Sequence, residues 1–207
     1  MEREVFHIVQ EYLNENKRFD ISRISKKIQN YSKRNIININ KEGIKVILQN
    51  LVKKKFIVEG SSLSRETILT NPTRKRIYNH VKKNPGTYFN QILKELRINN
   101  YLLVWHLDML VKFHYINRVL YDNHNIYFVG DLKLEEVIVK YFTSKKKSRE
   151  ILQYLKENNW GISKTKISRE LKMHSNTISR YLGQLEELKL IKKEQINKKN
   201  FYFLNSD

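Results

Sequence analysis

Residues 164–204 read KTKISRELKMHSNTISRYLGQLEELKLIKKEQINKKNFYFL. Isoleucine and leucine recur at steps of three or four over residues 164–171 and again over 175–188, which is the spacing of the buried face of a helix. Residues 172–174 separate the two runs and predict a tight turn. Residues 191–204 are basic and end in aromatic residues, a pattern typical of a β-hairpin. The stretch therefore predicts two helices, a turn between them, and a hairpin after them.

The same spacing of apolar residues occurs 75 residues earlier in the chain. Residues 167–204 align with residues 92–129 without a gap, from Ile167 against Ile92 to Leu204 against Val129. A looser third copy starts at Ile44, and residues 30–40 form an enlarged turn or an extra strand before it. Internal repeats of this length indicate consecutive copies of one supersecondary unit. We expect three repeats, over residues 1–71, 72–131 and 132–207, and the last range begins with a linker helix.

Each repeat has the order helix, helix, helix, strand, strand, so the predicted fold class is mainly α with small β-hairpins (α+β). Three features carry a resemblance to a known family: Asn84-Pro-Gly-x-x-Phe-x-x-Ile-x-x-x-Leu96, Trp105-His-Leu-x-x-Leu110, and Thr177-Ile-Ser-Arg-x-Leu-x-x-Leu185. With them the chain resembles the winged helix-turn-helix transcriptional regulators of prokaryotes, in the style of the MarR and ArsR groups and their tandem archaeal relatives. The resemblance implies three consecutive winged helix-turn-helix units.

The last repeat has the residues that suit duplex DNA. In helix-turn-helix proteins the second helix of the pair enters the major groove, and its first residues contact base edges. With Ile178, Leu182 and Leu185 inward, the outward residues of this recognition helix are Ser175, Asn176, Thr177, Ser179, Arg180 and Gln184. Phosphate contacts are expected from the start of the preceding helix and from the hairpin wing, through Lys164, Thr165, Lys166, Lys192, Lys193, Lys198 and Lys199.

The other two repeats differ from this pattern. In the middle repeat the equivalent helix presents apolar residues outward, namely Tyr101, Leu102, Val104 and Trp105. Such a face would forgo hydrogen-bonded base readout, so contact with a neighbouring repeat or a second subunit is an alternative to a thymine contact by Tyr101. In the first repeat, Lys41 and Lys45 are the candidates for additional DNA contacts.

Residues 132–142 predict a connecting helix with an apolar stripe. The stripe comprises Leu134, Val137, Ile138 and Tyr141, and nothing in its own repeat is expected to cover it. Two interpretations are open: a linker helix packed between the repeats, or the contact of a homodimer.

The charge of the chain favours a polyanionic partner. Lys and Arg number 40 against 21 Asp and Glu, which gives a net charge of +19, and each of the three repeats carries an excess of basic residues. Double-stranded DNA is therefore the expected partner. The alternative is that the lysines serve solubility and that Ser175 to Thr177 only cap a helix.

Catalysis finds little support in the sequence. Cysteine is absent, and the six histidines, at positions 7, 80, 106, 114, 124 and 174, lack the spacing of metal ligands. No phosphate-binding Gly-Lys-Ser/Thr loop or nucleophile motif occurs. We expect no enzyme activity, no cofactor and no metal, with a metal-sensing site like that of some ArsR relatives as the alternative.

The N-terminus lacks a signal-peptide pattern, and no apolar run approaches the roughly 18 residues of a membrane helix. A cytoplasmic, nucleoid-associated protein without membrane contact is expected.

The predicted function is that of a sequence-preferring DNA-binding transcriptional regulator. A protein-interaction scaffold of tandem winged helices, and a chromatin protein without sequence preference, are the two alternatives.

Overall fold

The computed structural model describes residues 1–16, 18–34, 39–158 and 160–205. This part of the chain is mostly helical with small antiparallel sheets, which confirms the predicted fold class. The helices are α1 (Glu2–Glu15), α2 (Ile21–Arg34), α3 (Lys41–Lys53), α4 (Pro72–Lys83), α5 (Phe89–Leu96), α6 (Asn100–Lys112), α7 (Leu134–Ser144), α8 (Lys146–Glu157), α9 (Lys164–Glu170) and α10 (Ser175–Glu187). The strands are β1 (Thr87–Tyr88), β2 (Asn117–Tyr121), β3 (His124–Phe128), β4 (Ile162–Ser163), β5 (Ile191–Ile196) and β6 (Lys199–Leu204).

The chain forms two compact bodies. The N-terminal body comprises Met1–Lys83, Phe89–Val119 and Tyr127–Gly130. The C-terminal body comprises Asn84–Tyr88, Leu120–Ile126 and Asp131–Asp207. The division passes through the β2–β3 hairpin, whose tip belongs to the C-terminal body.

Helices α1, α2 and α3 enclose the first hydrophobic core of the N-terminal body. Its fully buried members include Val9 of α1, Ile24 of α2 and Leu48 of α3. The Asp20 side chain caps α2, since its Oδ1 accepts a hydrogen bond of 2.9 Å from the backbone N–H of Arg23.

Helix α2 continues to Arg34 and so includes residues 30–34, which were predicted to belong to an enlarged turn or an extra strand. Ser32 lies one turn after Ile28 on the buried face and donates its hydroxyl to the Ile28 carbonyl at 2.8 Å. A polar residue thus occupies the buried face here, so apolar spacing does not mark the end of this helix. Residues 35–38, at the centre of the predicted enlarged turn, lie outside the described residues.

The hairpin predicted for the first repeat is not present as predicted. Ile57 and Ser64 form a single antiparallel bridge, and Ile68–Thr70 is a short 3-10 helix where a second strand was expected. That strand prediction was wrong because local bonds favour a turn here. The Thr67 hydroxyl binds both the backbone N–H and the carbonyl of Ser64, each at 3.1 Å. A complete winged unit in the first repeat stays a prediction.

Two later stretches share one order of elements at an offset of 75 residues. Helix, short strand, two helices and a hairpin follow each other in α4-β1-α5-α6-β2-β3 and in α8-β4-α9-α10-β5-β6. In each sheet the short strand pairs with the second hairpin strand, in the orders β1-β3-β2 and β4-β6-β5. Both hairpins turn through two residues of positive φ, at residues 122–123 and 197–198, which suits the right-handed twist of the strands.

A second core of the N-terminal body joins the first stretch of chain to the middle one. Val58 and Ile68 are buried together with residues of α4 and α6, among them Ile77 and Leu107. The Tyr115 hydroxyl also donates to the Arg65 carbonyl at 2.7 Å. Residues 58–69 are therefore packed against the middle repeat.

Helix α7 is covered within the C-terminal body. Val137 and Tyr141 are 0% exposed, and the Tyr141 ring meets the rings of Tyr88 and Tyr121 edge to face. Both side chains are thus closed to a second subunit, which corrects the interpretation of the whole stripe as a dimer contact. Leu134 is exposed and Ile138 is half-buried.

Candidate nucleic-acid interface

Helix α10 presents a polar face at its N-terminal half. Ile178, Tyr181, Leu182 and Leu185 are buried, and they form the core-facing side of the helix. Of the six predicted base-reading residues, four are exposed and two are half-buried. The exposed ones are Ser175, Asn176, Ser179 and Arg180, and the half-buried ones are Thr177 and Gln184.

The N-cap of α10 is His174, a residue without a role in the sequence prediction. Its Nδ1 accepts a hydrogen bond of 3.3 Å from the backbone N–H of Asn176. Ser175 and the two residues after it therefore lie in the first helical turn and do not supply the cap, contrary to the alternative considered above. Their side chains are not used for capping, so they can contact a ligand.

The β5–β6 hairpin, here called the wing, has two faces that carry different lysines. Cross-strand partners point to the same face, and Lys193 is opposite Tyr202 whereas Lys192 is opposite Phe203. The Lys192 ammonium pairs with Glu194 at 2.7 Å and lies 5.4 Å from the centre of the Phe203 ring. Since successive strand residues alternate, Lys193 is on the other face from Lys192.

A groove of about 680 Å³, here called the wing groove, lies between α10, the start of α9 and the wing. It brings together lysines from three chain segments, Lys164, Lys193 and Lys199. Hydroxyl and amide groups accompany them, so the groove offers both positive charge and hydrogen-bond donors. The residues that line it are Ser163, Lys164, Thr165, Ser179, Gly183, Glu186, Lys193, Lys199, Asn200 and Tyr202.

Lys166 and Lys198 are predicted phosphate contacts that do not line the wing groove. The backbone N–H of Lys166 donates to the Ser163 side chain at 3.4 Å, which caps α9. Lys198 is exposed at the tip of the wing with a φ of 62°. Of the seven predicted phosphate-binding residues, the groove therefore unites four, Lys164, Thr165, Lys193 and Lys199.

Two carboxylates modulate the charge around α10. Glu186 lines the wing groove, and burial together with this carboxylate raises the pKa of the Tyr202 hydroxyl. On another side of the helix, Asp122 has a lowered pKa because Lys145 donates to it at 2.7 Å and because Arg180 adds positive charge. Arg180, whose guanidinium lies 5.4 Å from the Tyr181 ring, thus has an acidic group in its surroundings.

The remaining predicted contacts lie in the N-terminal body. Lys41 is exposed at the start of α3, where the Asn40 side chain accepts from the backbone N–H of Gly43 at 2.8 Å. Lys45 is exposed one turn later. Both lysines can contact an anion, but they belong to a different body from the wing groove.

Helix α6 is apolar on its exposed face. The exposed fractions are 84% for Tyr101, 52% for Leu102, 46% for Val104 and 50% for Trp105. The Arg74 guanidinium lies 5.0 Å from the Trp105 ring centre. This face lacks the row of small polar side chains on α10, and it is the exposed apolar surface that the sequence led us to expect.

His106 follows Trp105 on α6 and is buried, with its ring centre 4.8 Å from that of Trp105. Burial, and next the positive charge of Arg74, lower the pKa of its imidazole.

Within the described ranges, no three His, Cys, Asp or Glu side chains are grouped so that they could hold a metal ion. None of the helices described is both long and apolar enough to cross a membrane.

Sequence reasoning missed several residues of the wing groove, among them Gly183, Glu186, Asn200 and Tyr202. Gly183 and Glu186 lie one turn and two turns after Ser179, so a helical projection of α10 would have placed them on the same side. Asn200 and Tyr202 alternate along β6, and strand alternation would have grouped them.

No protein-family model matches the chain. The chain is similar to an uncharacterized HTH-type transcriptional regulator of Methanocaldococcus jannaschii, with 27% identity over 171 residues. The alignment covers 76% of this chain and 43% of that protein. The chain thus spans less than half the length of this relative.

Proposed function

We propose that this protein is a DNA-binding transcriptional regulator of the tandem winged helix-turn-helix type, resembling the MarR and ArsR groups. In this proposal it binds duplex DNA without catalysing a reaction. The three repeats over residues 1–71, 72–131 and 132–207 are its winged units, and the C-terminal unit reads the DNA. The similarity to a protein named as an HTH-type transcriptional regulator supports this function.

The observation that carries the proposal is the wing groove beside the polar half of α10. Lys164, Lys193 and Lys199 converge there from three segments, next to exposed Ser179. Lysines neutralise phosphates, whereas small polar side chains at the start of a recognition helix hydrogen-bond to base edges. The two sets of groups are neighbours, which is the arrangement that a DNA-reading helix with a wing requires.

Affinity in this proposal comes mainly from phosphates and specificity from α10. Each lysine–phosphate contact releases counterions, so binding must weaken steeply with salt. Asn176 and Ser179, exposed in the first turns of α10, are the proposed base readers, and Lys198 at the wing tip is a proposed phosphate contact. Lys41 and Lys45 are proposed as further phosphate contacts of the N-terminal body.

A mobility-shift titration with a random-sequence duplex at about 50 and 200 mM salt tests DNA binding directly. We expect tight binding at low salt and a large loss at high salt. Selection from a random duplex pool then tests sequence preference, and a recovered motif is expected. If the pool yields no motif although the protein binds, the protein is a sequence-independent chromatin protein.

A protein-interaction scaffold is the second candidate, and the exposed apolar face of α6 favours it. Tyr101, Leu102, Val104 and Trp105 provide a surface that suits a protein partner or a second copy of the chain better than DNA. Absence of duplex binding even at low salt would leave this candidate in place of the regulator.

A further inference from the structure

Gly183 lies in the interior of α10, where glycine costs stability relative to alanine because it loses more conformational freedom on folding. A left-handed backbone and close packing against a neighbouring segment are two structural reasons for a glycine. Gly86 has both, since its φ is 85° and an added Cβ would come 2.7 Å from the backbone of α7.

Gly183 has neither of these reasons. It is not among the glycines of positive φ, and a Cβ built on it meets no atom of another part of the described chain within 4 Å. Nothing in the described fold therefore requires the side chain to be absent. The open space beside Gly183 lets a ligand approach the backbone of α10 more closely than it could at a residue with a side chain.

The side of α10 on which Gly183 lies faces the wing groove. Gly183 lines that groove together with Lys164, Lys193 and Lys199. We propose that one phosphodiester strand of bound DNA lies in the wing groove against Gly183, so closely that a methyl group at this position displaces the strand. This inference rests on the proposed DNA-binding function and adds to it the path of the backbone.

The chemistry of the groove fits a phosphodiester backbone better than a base edge or an acidic peptide. Its three lysines come from three different segments and so surround a continuous anion, and the amide of Asn200 adds a donor. Glu186 lies one turn after Gly183 on α10 and repels phosphate there. The strand is therefore placed on the side of Gly183 away from Glu186.

Replacement of Gly183 by alanine is expected to have opposite effects on stability and on DNA binding. In the full chain, Gly183→Ala is expected to raise the midpoint of thermal unfolding by about 1–4 °C, because alanine favours the helix. The same variant is expected to bind duplex DNA about eightfold more weakly at 0.1 M salt, the effect of one lost phosphate contact. The loss is equal on random and selected duplexes, because a phosphate contact carries no sequence information.

The salt dependence identifies the lost contact as a phosphate. When one phosphate contact is lost, the slope of log affinity against log salt becomes shallower by about 0.9. The matched control is Asn50→Ala, an uncharged change at an exposed position of α3 that also favours the helix. We expect it to stabilise the protein without a change in affinity or slope.

The outcomes are distinct. If Gly183→Ala binds duplex DNA within twofold of the wild type, the close approach at Gly183 is refuted while DNA binding stands. A lowered unfolding midpoint also refutes the inference, because the added methyl group would then clash within the protein. If the wild-type chain itself binds no duplex at low salt, the proposed function fails and the inference with it.

Discussion

Lys192 and Lys193 are adjacent on β5, yet the structure assigns them to opposite faces of the wing. Lys193 lines the wing groove, whereas Lys192 pairs with Glu194 at 2.7 Å beside the Phe203 ring. Glutamine in place of either lysine removes one charge from the same strand and keeps a side chain of similar length. The two variants thus form a matched pair that differs mainly in the face affected.

The expected magnitude follows from counterion release. One phosphate contact contributes about 0.9 to the slope of log affinity against log salt, so its loss weakens binding about eightfold at 0.1 M salt. This corresponds to about 1.2 kcal/mol. We expect Lys193→Gln to show this full effect. Lys192→Gln should weaken binding by less than about twofold, because Lys192 lies on the other face of the wing and its ammonium pairs with Glu194. The loss of this exposed ion pair should change stability little.

Fluorescence anisotropy of a labelled duplex, titrated at four or more salt concentrations, measures both affinity and slope. The unfolding midpoint of each variant serves as the control for folding, and neither should change much since both lysines are exposed. Equal slopes for the two variants would refute the assignment of a DNA-facing side of the wing. A larger effect of Lys192→Gln would place the DNA on the other face.

Three further predictions follow from single residues. Arg180→Ala is expected to cost about 1–3 kcal/mol at one base pair if the arginine reads a base, as measured by competition among single-base variants of a selected duplex; an equal loss on every sequence would make it a phosphate contact. Gly86→Ala should destabilise the C-terminal body by about 2–5 kcal/mol, because alanine is strained at a φ of 85° and its Cβ would collide with the backbone of α7; an unchanged denaturant midpoint would contradict the packing described. The pKa of His106 is lower in the folded than in the unfolded state, so the unfolded chain binds the extra proton, and stability should be full above about pH 6.5 and fall as the pH decreases below it. Urea unfolding at pH 7 and pH 5 measures this fall, and His106→Gln should reduce it.

Much of the fold could be predicted because apolar spacing records which side of each helix is buried. The runs predicted over residues 164–171 and 175–188 form α9 and α10 with bounds that differ by one residue, and the inward residues of α10 are Ile178, Leu182 and Leu185 as expected. The expected apolar face of α6 is also exposed. The second strand of the first repeat was wrong, because hydrogen bonds of the Thr67 hydroxyl compete with a strand ladder and leave no mark on apolar spacing.

The candidate site was only partly accessible to such reasoning. The polar residues of α10 could be found from the helix period, since the core defines the opposite face. The grouping of Lys164 with Lys193 and Lys199 could not, because it depends on how the wing folds back beside α10. A count of charges does not distinguish one lysine from another. The sequence therefore predicted Lys192, Lys166 and Lys193 alike as phosphate contacts.

The sequence by itself determined the helices, the offset of 75 residues and the polar half of α10, since each of these depends on neighbours a few residues apart. Only the tertiary structure decided which wing face meets α10, that Val137 and Tyr141 are buried, and that Gly183 opens onto a basic groove. The physical reason is that these properties arise from contacts between distant segments. Periodicity fixes the direction of a side chain relative to its own helix or strand, but not the element that lies in that direction.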